Sequence, residues 1–162
     1  EITLTGPFGN SFLIADDPDA RLIMICTGTG SAPFRAFTMH RQRAMPDNTG
    51  SMKLFFGART PDSLPYFGPL GKVPQEFLEK HFAFSRVQDQ PKTYVQDRMR
   101  EDASEIATML QDPNTHIYLC GLKAMETGVD AAFQDIARNA GLNWLDIRDG
   151  MRESGRYHVE TY

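Results

Sequence analysis

The chain has 162 residues, 41% of them hydrophobic and 23% charged, with a formal net charge of −4 and a pI near 5.5. That length makes one domain of ordinary size, able to bury its own core. The acidic balance argues against a nucleic-acid surface, no apolar run is long enough to cross a membrane, and no charged-then-apolar leader stands at the N-terminus.

The chain opens at Glu1 rather than at a methionine, so part of a longer protein is expected. A turn at Gly6-Pro7-Phe8-Gly9 joins something upstream. The first predicted strand, 22–27, lacks polar alternation over Leu22-Ile23-Met24-Ile25-Cys26, the pattern of a strand covered on both faces of a parallel sheet. It runs into Thr27-Gly28-Thr29-Gly30, and Pro33 then opens a helix that reaches about Ala44. Gly28 and Gly30 let the main chain approach a phosphate closely. The first helical turn offers N–H groups with no internal partner, and Arg35 adds a full positive charge. Together these residues read as a dinucleotide-pyrophosphate loop, with a proline in place of the third glycine of G-x-G-x-x-G. A tight turn that binds nothing would need the glycines but not the threonines, the proline and the arginine.

The segment 45–50 ends that helix. A second strand, 53–58, leads into a proline- and glycine-rich loop, 60–72, and a short helix, 74–80. The third strand is predicted over 82–87. A helix over 95–111 places Met99, Ile106, Met109 and Leu110 on one face. A fourth strand at 116–120, helices at 124–139, stopped by Gly141, and at 145–153, and a fifth strand at 156–161 complete the series. This alternation predicts an α/β fold: a doubly wound parallel sheet of about five strands with helices on both faces.

In such sheets ligands collect at the carboxyl ends of the strands, where the strand order reverses. Strand one delivers Thr27 to Gly30. Strand two delivers Arg59, where an NAD-specific domain would often place an acid for the ribose hydroxyl. Strand three delivers Ser85 and Arg86, followed by Lys92, Tyr94 and Gln96. Two cations, a hydroxyl and a ring match a ribose 2′-phosphate and its adenine; a solvated basic loop is the alternative. Strand four ends in Cys120-Gly121-Leu122, which places Cys120 either beside a nicotinamide ring or in the core as a small hydrophobe. Cys26 reads as core. The last strand carries Glu160 and Tyr162 to the same edge, unless the terminus frays. With two cysteines outside any CxxC pair, and His40, His81, His116 and His158 without metal-ligand spacing, no metal site is expected. The same cysteine usage predicts a reducing, cytoplasmic compartment.

Taken in order, G-P-x-G at 6–9, T-G-T-G-x-A-P-F-R at 27–35, S-R at 85–86, K-x-Y-V-Q at 92–96 with Arg98-Met99, C-G-L-K-x-M-E at 120–126 and V-E-x-Y at the terminus are similar to the motifs of the ferredoxin–NADP+ reductase family. That family includes the reductase parts of cytochrome P450 reductase and nitric oxide synthase. The resemblance implies that Thr27 to Pro33 meet the pyrophosphate and nicotinamide side of NADP(H). It also implies that Ser85, Arg86, Lys92 and Tyr94, with Gln96, hold the 2′-phosphate and adenine. Gly121, Leu122 and Glu126 join the cofactor-binding set, Cys120 and Glu160 flank the nicotinamide, and Tyr162 stacks on a flavin.

Departures refine this expectation. The family's flavin domain carries an R-x-Y-S motif that is absent here, since His158 follows Arg156-Tyr157. Residues 21–162 are therefore expected to be the NADP-binding domain and 1–20 the end of the flavin domain or a linker. The FAD of the complete protein would be bound mainly upstream. Thr161 replaces an aliphatic residue and Val87 an acidic one. The loop 66–70 and the ending 156–162 most resemble the reductase component of bacterial benzoyl-CoA oxygenase, in which a ferredoxin-like segment precedes the flavin domain. The expected partners are the upstream FAD domain and an iron–sulfur carrier or oxygenase as electron acceptor, without nucleic acid or membrane. Two alternatives stand beside this reading. A free-standing NADP-dependent dehydrogenase would need an acid–base pair, and no Tyr-x-x-x-Lys or positioned histidine is present. A non-catalytic nucleotide-binding module is the other.

Overall fold

A computed structural model describes residues 12–45, 50–63 and 70–162. The expected turn at 6–9, the upstream segment 1–5 and most of the loops at 45–50 and 66–70 lie outside the described residues. The elements run β1 (Arg21–Thr27), a 3-10 turn (Gly28–Ser31), α1 (Ala32–Ala44), β2 (Met52–Ala58), a second 3-10 turn (Pro61–Ser63), β3 (Glu79–Phe84), α2 (Val95–Glu101), α3 (Ala103–Leu110), β4 (Thr115–Gly121), α4 (Lys123–Asn139), α5 (Trp144–Glu153) and β5 (Tyr157–Thr161). All five strands pair in parallel in the order β3-β2-β1-β4-β5. The order reverses between β1 and β4, which fixes where a crevice can open.

Alternation along each strand sends side chains to two separate cores. Ile23, Ile25, Phe55, Ile117 and Leu119 pack with Met99, Ile106, Val129, Phe133 and Trp144, from α2 to α5. Leu22, Met24, Leu54, Phe56 and Tyr118 pack on the opposite face with Phe12, Phe34, Phe37, Leu70 and Leu78, from α1 and from the segments 12–20 and 70–78. Cys26 and Cys120 belong to this second core. Both faces are covered, so the strands carry continuous apolar runs instead of alternation.

Three expected elements differ. The helix at 74–80 is a single turn, with Phe77 and Leu78 N–H groups both donating to the Pro74 carbonyl. Seven residues are too few to sustain a helix alone, and Glu79 and Lys80 are drawn into β3, in register with Lys53 and Leu54. The third strand accordingly spans Glu79–Phe84 rather than 82–87, leaving Ser85, Arg86 and Val87 beyond its end. The helix at 95–111 is two helices broken at Asp102.

That break has an electrostatic cause. Lys53 is only 4% exposed, and its ammonium donates to the carboxylates of Glu79, Glu105 and, at 2.7 Å, Asp102. Burial opposes the charge, but the three acceptors more than offset it and hold the lysine pKa above its ordinary range. A buried ammonium requires such partners, and Asp102 leaves the helical path to supply one. On the other face Arg41, fully buried in the last turn of α1, donates through Nη2 to the carbonyls of Asp17, Pro18 and Ala20 at 2.9, 3.2 and 2.7 Å. It ties α1 to the segment that enters β1.

Candidate functional site

A cleft of about 710 Å³ opens at the carboxyl ends of β1 to β4, within the size range of small-molecule sites. The first wall is the turn after β1. Gly28 has φ +53°, a left-handed angle that side chains disfavour. Gly30 lies flush against the end of β4: a Cβ there would run into the Cys120 carbonyl and pass 2.8 Å from its carbon. Thr27 Oγ1 accepts from the Leu122 N–H at 3.3 Å and fixes the turn to the start of α4. Thr27, Gly28 and Thr29 line the cleft. Pro33 lies in the first turn of α1, a helix without a side-chain cap, and Arg35 is exposed one position after Phe34; neither is among the lining residues.

The second wall comes from β2, β3 and the start of α2. Arg59, Ser85, Tyr94 and Gln96 line it. Backbone bonds continue the β2–β3 pairing past the strands, from Ser85 N–H to the Ala58 carbonyl (3.1 Å) and from Arg86 N–H to the Arg59 carbonyl (2.8 Å). The loop closes when Thr93 N–H reaches the Phe84 carbonyl at 3.1 Å. Tyr94 N–H donates to the Asp97 carboxylate at 2.8 Å, which starts α2 and leaves the ring 47% exposed. Arg86 and Lys92 are exposed on this loop, outside the lining set.

The third wall is the β4–α4 turn and the terminus. Leu122 lines the cleft and is 55% exposed. Cys120 is 2% exposed and turned into the second core; burial first, and the charge of Glu160 second, push its thiol pKa up to about 11. Glu160 pairs in register with Cys120 and is half-buried. Glu126 is off the cleft, its carboxylate accepting a hydrogen bond from Thr161 Oγ1 at 3.0 Å. The terminal residue is held rather than frayed. Tyr162 N–H donates to the Gly121 carbonyl (3.0 Å) and its carbonyl accepts from Lys123 N–H (2.9 Å). The Tyr162 hydroxyl shares a hydrogen bond with Thr29 Oγ1 at 3.0 Å. The ring therefore reaches from the β5 edge to the turn after β1.

Sequence reasoning missed Ser63, Thr93 and Met125 as lining residues. A usable signal was the row of small residues at the strand ends and helix start, Gly57, Ala58, Ala83 and Ala124, which leave the space. It also missed the group Glu79, His81 and Asp102, whose ligand-type atoms lie within 4.8 Å of one another, with Lys53 on the two carboxylates. No histidine is among the described residues that line the cleft. Among the described residues no helix is long and apolar enough to cross a membrane.

Residues 24–131 match the family model of the oxidoreductase NAD-binding domain. The chain is 38% identical over 171 residues to a ferredoxin–NADP reductase from Spirulina sp, with all of this chain and 58% of that protein covered. It is 41% identical over 173 residues to the ferredoxin–NADP reductase of Thermosynechococcus vestitus, with 45% of that protein covered. It is 37% identical over 171 residues to the leaf-type chloroplastic isozyme of Nicotiana tabacum, with 47% covered. The chain thus spans about half the length of the relatives it matches.

Proposed function

The chain belongs to the oxidoreductase NAD-binding domain family, and from that premise we propose that it is the NADP(H)-binding part of a flavoprotein reductase whose FAD is held mainly by an upstream domain. The observation that carries this reading is the cleft itself. A turn whose backbone is free to approach a pyrophosphate forms one wall, and Arg59, Ser85 and Tyr94 form the other.

The residues present fit the cofactor. Thr27 to Thr29 would take the pyrophosphate, with the uncapped start of α1 behind them. Ser85, Arg59, Arg86 and Lys92 would take the 2′-phosphate through charge-assisted bonds, and Tyr94 would cover the adenine. Leu122 and Tyr162 would stand on the nicotinamide side, with Cys120 and Glu160 behind. When bound, NADPH supplies the hydride that reduces the flavin. The work of this chain is to orient the nucleotide and to keep the nicotinamide end bounded by apolar surface.

The finer reading passes single electrons to an iron–sulfur carrier or oxygenase in a cytoplasmic setting, as in the reductase of bacterial benzoyl-CoA oxygenase. It is supported by the sequences at 66–70 and 156–162 and by two buried cysteines that form no disulfide. Residues 21–162 would form the NADP unit and 1–20 the link to the flavin domain. A free-standing dehydrogenase is less well supported, because the cleft offers no histidine and the Cys120 thiol is buried and protonated. Calorimetric titration with 2′,5′-ADP and 5′-AMP tests the reading. The first should bind at least about tenfold tighter, and Arg86→Ala should remove about a tenfold to hundredfold advantage, the value of about one charge-assisted bond. Equal affinities in the unaltered chain would overturn the assignment.

A further inference from the structure

We propose that Thr161 and Glu126 form a latch that sets how readily Tyr162 leaves the cleft. Neither residue touches the cleft, so both act through the tyrosine. The inference rests on the NADP(H) reading above.

The latch has two parts, and they converge on one short stretch of chain. The backbone of Tyr162 is bonded on both sides to the β4–α4 turn, through Gly121 and Lys123. One residue earlier, the Thr161 hydroxyl donates to the Glu126 carboxylate in the first turn of α4 at 3.0 Å. Side chains alternate along β5, so Thr161 faces α4 while Glu160 faces the α1 side. A valine at position 161 could make no such bond. A hydrogen bond to a carboxylate is among the stronger kinds, and this pair is partly withdrawn from water. The ring that it steadies extends to Thr29 Oγ1 across the space between the phosphate turn and the terminus. A nicotinamide running from the pyrophosphate turn toward Leu122 needs that space. Whatever fixes Tyr162 therefore opposes the nicotinamide, but not the adenosine half of the cofactor, which Arg59 and Tyr94 would hold on the opposite wall.

The test uses the intact flavoprotein that contains this chain, with three variants: Thr161→Val, Thr161→Ser and Glu126→Gln. Dissociation constants are measured for NADP+ and for 2′,5′-ADP, which lacks the nicotinamide, beside a thermal melt of each variant. Thr161→Val should tighten NADP+ about threefold to tenfold, the range of one net hydrogen bond, and leave 2′,5′-ADP unchanged. Thr161→Ser should restore the original value. Glu126→Gln, whose amide oxygen still accepts from Thr161 but without the charge, should give a smaller gain than Thr161→Val, and in the double variant the two changes should not add, because both act on the same contact. An unchanged NADP+ constant in Thr161→Val, or a parallel change for both ligands, would overturn the latch while leaving the NADP(H) reading intact. Failure of the unaltered protein to bind either ligand would overturn that reading instead.

Discussion

Replacing Lys53 with methionine keeps the buried stem and removes only the ammonium. Three carboxylates, on Glu79, Asp102 and Glu105, then face one another at the foot of β2 and β3 with the His81 ring as their remaining basic neighbour. Breaking a buried ion pair from one side costs about 3–5 kcal/mol. Here the side chains of Glu105 and Glu79 are 63% and 36% exposed, so water screens part of the repulsion, and about 3 kcal/mol is the expected loss near neutral pH. With a urea slope of about 2 kcal/mol per molar, the unfolding midpoint should fall by about 1.5 M. The pH dependence has a definite sign. Burial raises the Glu79 pKa, yet its bonds from Lys53 and His81 more than offset this and hold it below its ordinary value. In the unaltered chain that carboxylate stabilises the fold above the ordinary carboxylate range and loses its effect as the pH falls. In Lys53→Met the like charges repel, so acidification relieves the variant and the gap between the two proteins narrows toward about pH 4.5. Urea titrations at both pH values decide it. A midpoint shift under about 0.5 M near neutrality, or an equal shift at both pH values, would refute the reasoning and the cause given for the break at Asp102.

Gly30→Ala should destabilise by about 2 kcal/mol or more and abolish nucleotide binding, because the Cβ meets a backbone carbonyl. Gly150→Ala, on α5 with open space around it, should instead raise the melting temperature by about 2–4 °C; a loss there would contradict the packing. Cys120 carries a pKa raised from 9.0 to about 11, so its protonated form supports the fold below about 9 and that support drains as pH rises toward about 11. Cys120→Ala should flatten the stability profile across that window in a denaturant series, and an unchanged slope would count against it. His116 is held down to about 4, first by burial and then by His158, so its neutral form supports the fold above about 6.5 and is lost as pH falls toward 4. His116→Gln should flatten the acid limb of the melting curve, whereas a limb of unchanged steepness would place the titration elsewhere.

Period and composition revealed the sheet because apolar runs over 22–26, 54–56 and 117–120 leave no exposed face. They also revealed the terminal residues of β1, β3 and β4 as a common edge, since the βαβ series forces that edge. What remained hidden depends on contacts between distant residues. Nothing local at Asp102 announces a helix break; its cause is a lysine 49 positions earlier. The turn at 74–78 gives way to β3 because Glu79 answers the same lysine. Glu126 belongs to a motif in which Leu122, Ala124 and Met125 line the cleft, whereas its own carboxylate accepts a hydrogen bond from Thr161, 35 positions later. Tyr162 was ambiguous for the opposite reason: a terminal residue gives no sequence sign of the bonds to Gly121, Lys123 and Thr29 that hold it.

Helix α1 begins at the turn that would grip the nucleotide and ends with Arg41 clasped by the carbonyls of residues 17–20. Its 13 residues make a rod of about 20 Å. Packed through Phe34 and Phe37 against a dense core, such a rod does not absorb a push by bending. The segment entering β1 and the turn Gly28–Ser31 are thus joined through α1 as well as through β1. Tether and grip are two ends of one lever. A domain grafted behind a different leading segment leaves the buried Arg41 guanidinium without these three acceptors unless residues 17–20 are carried over with it.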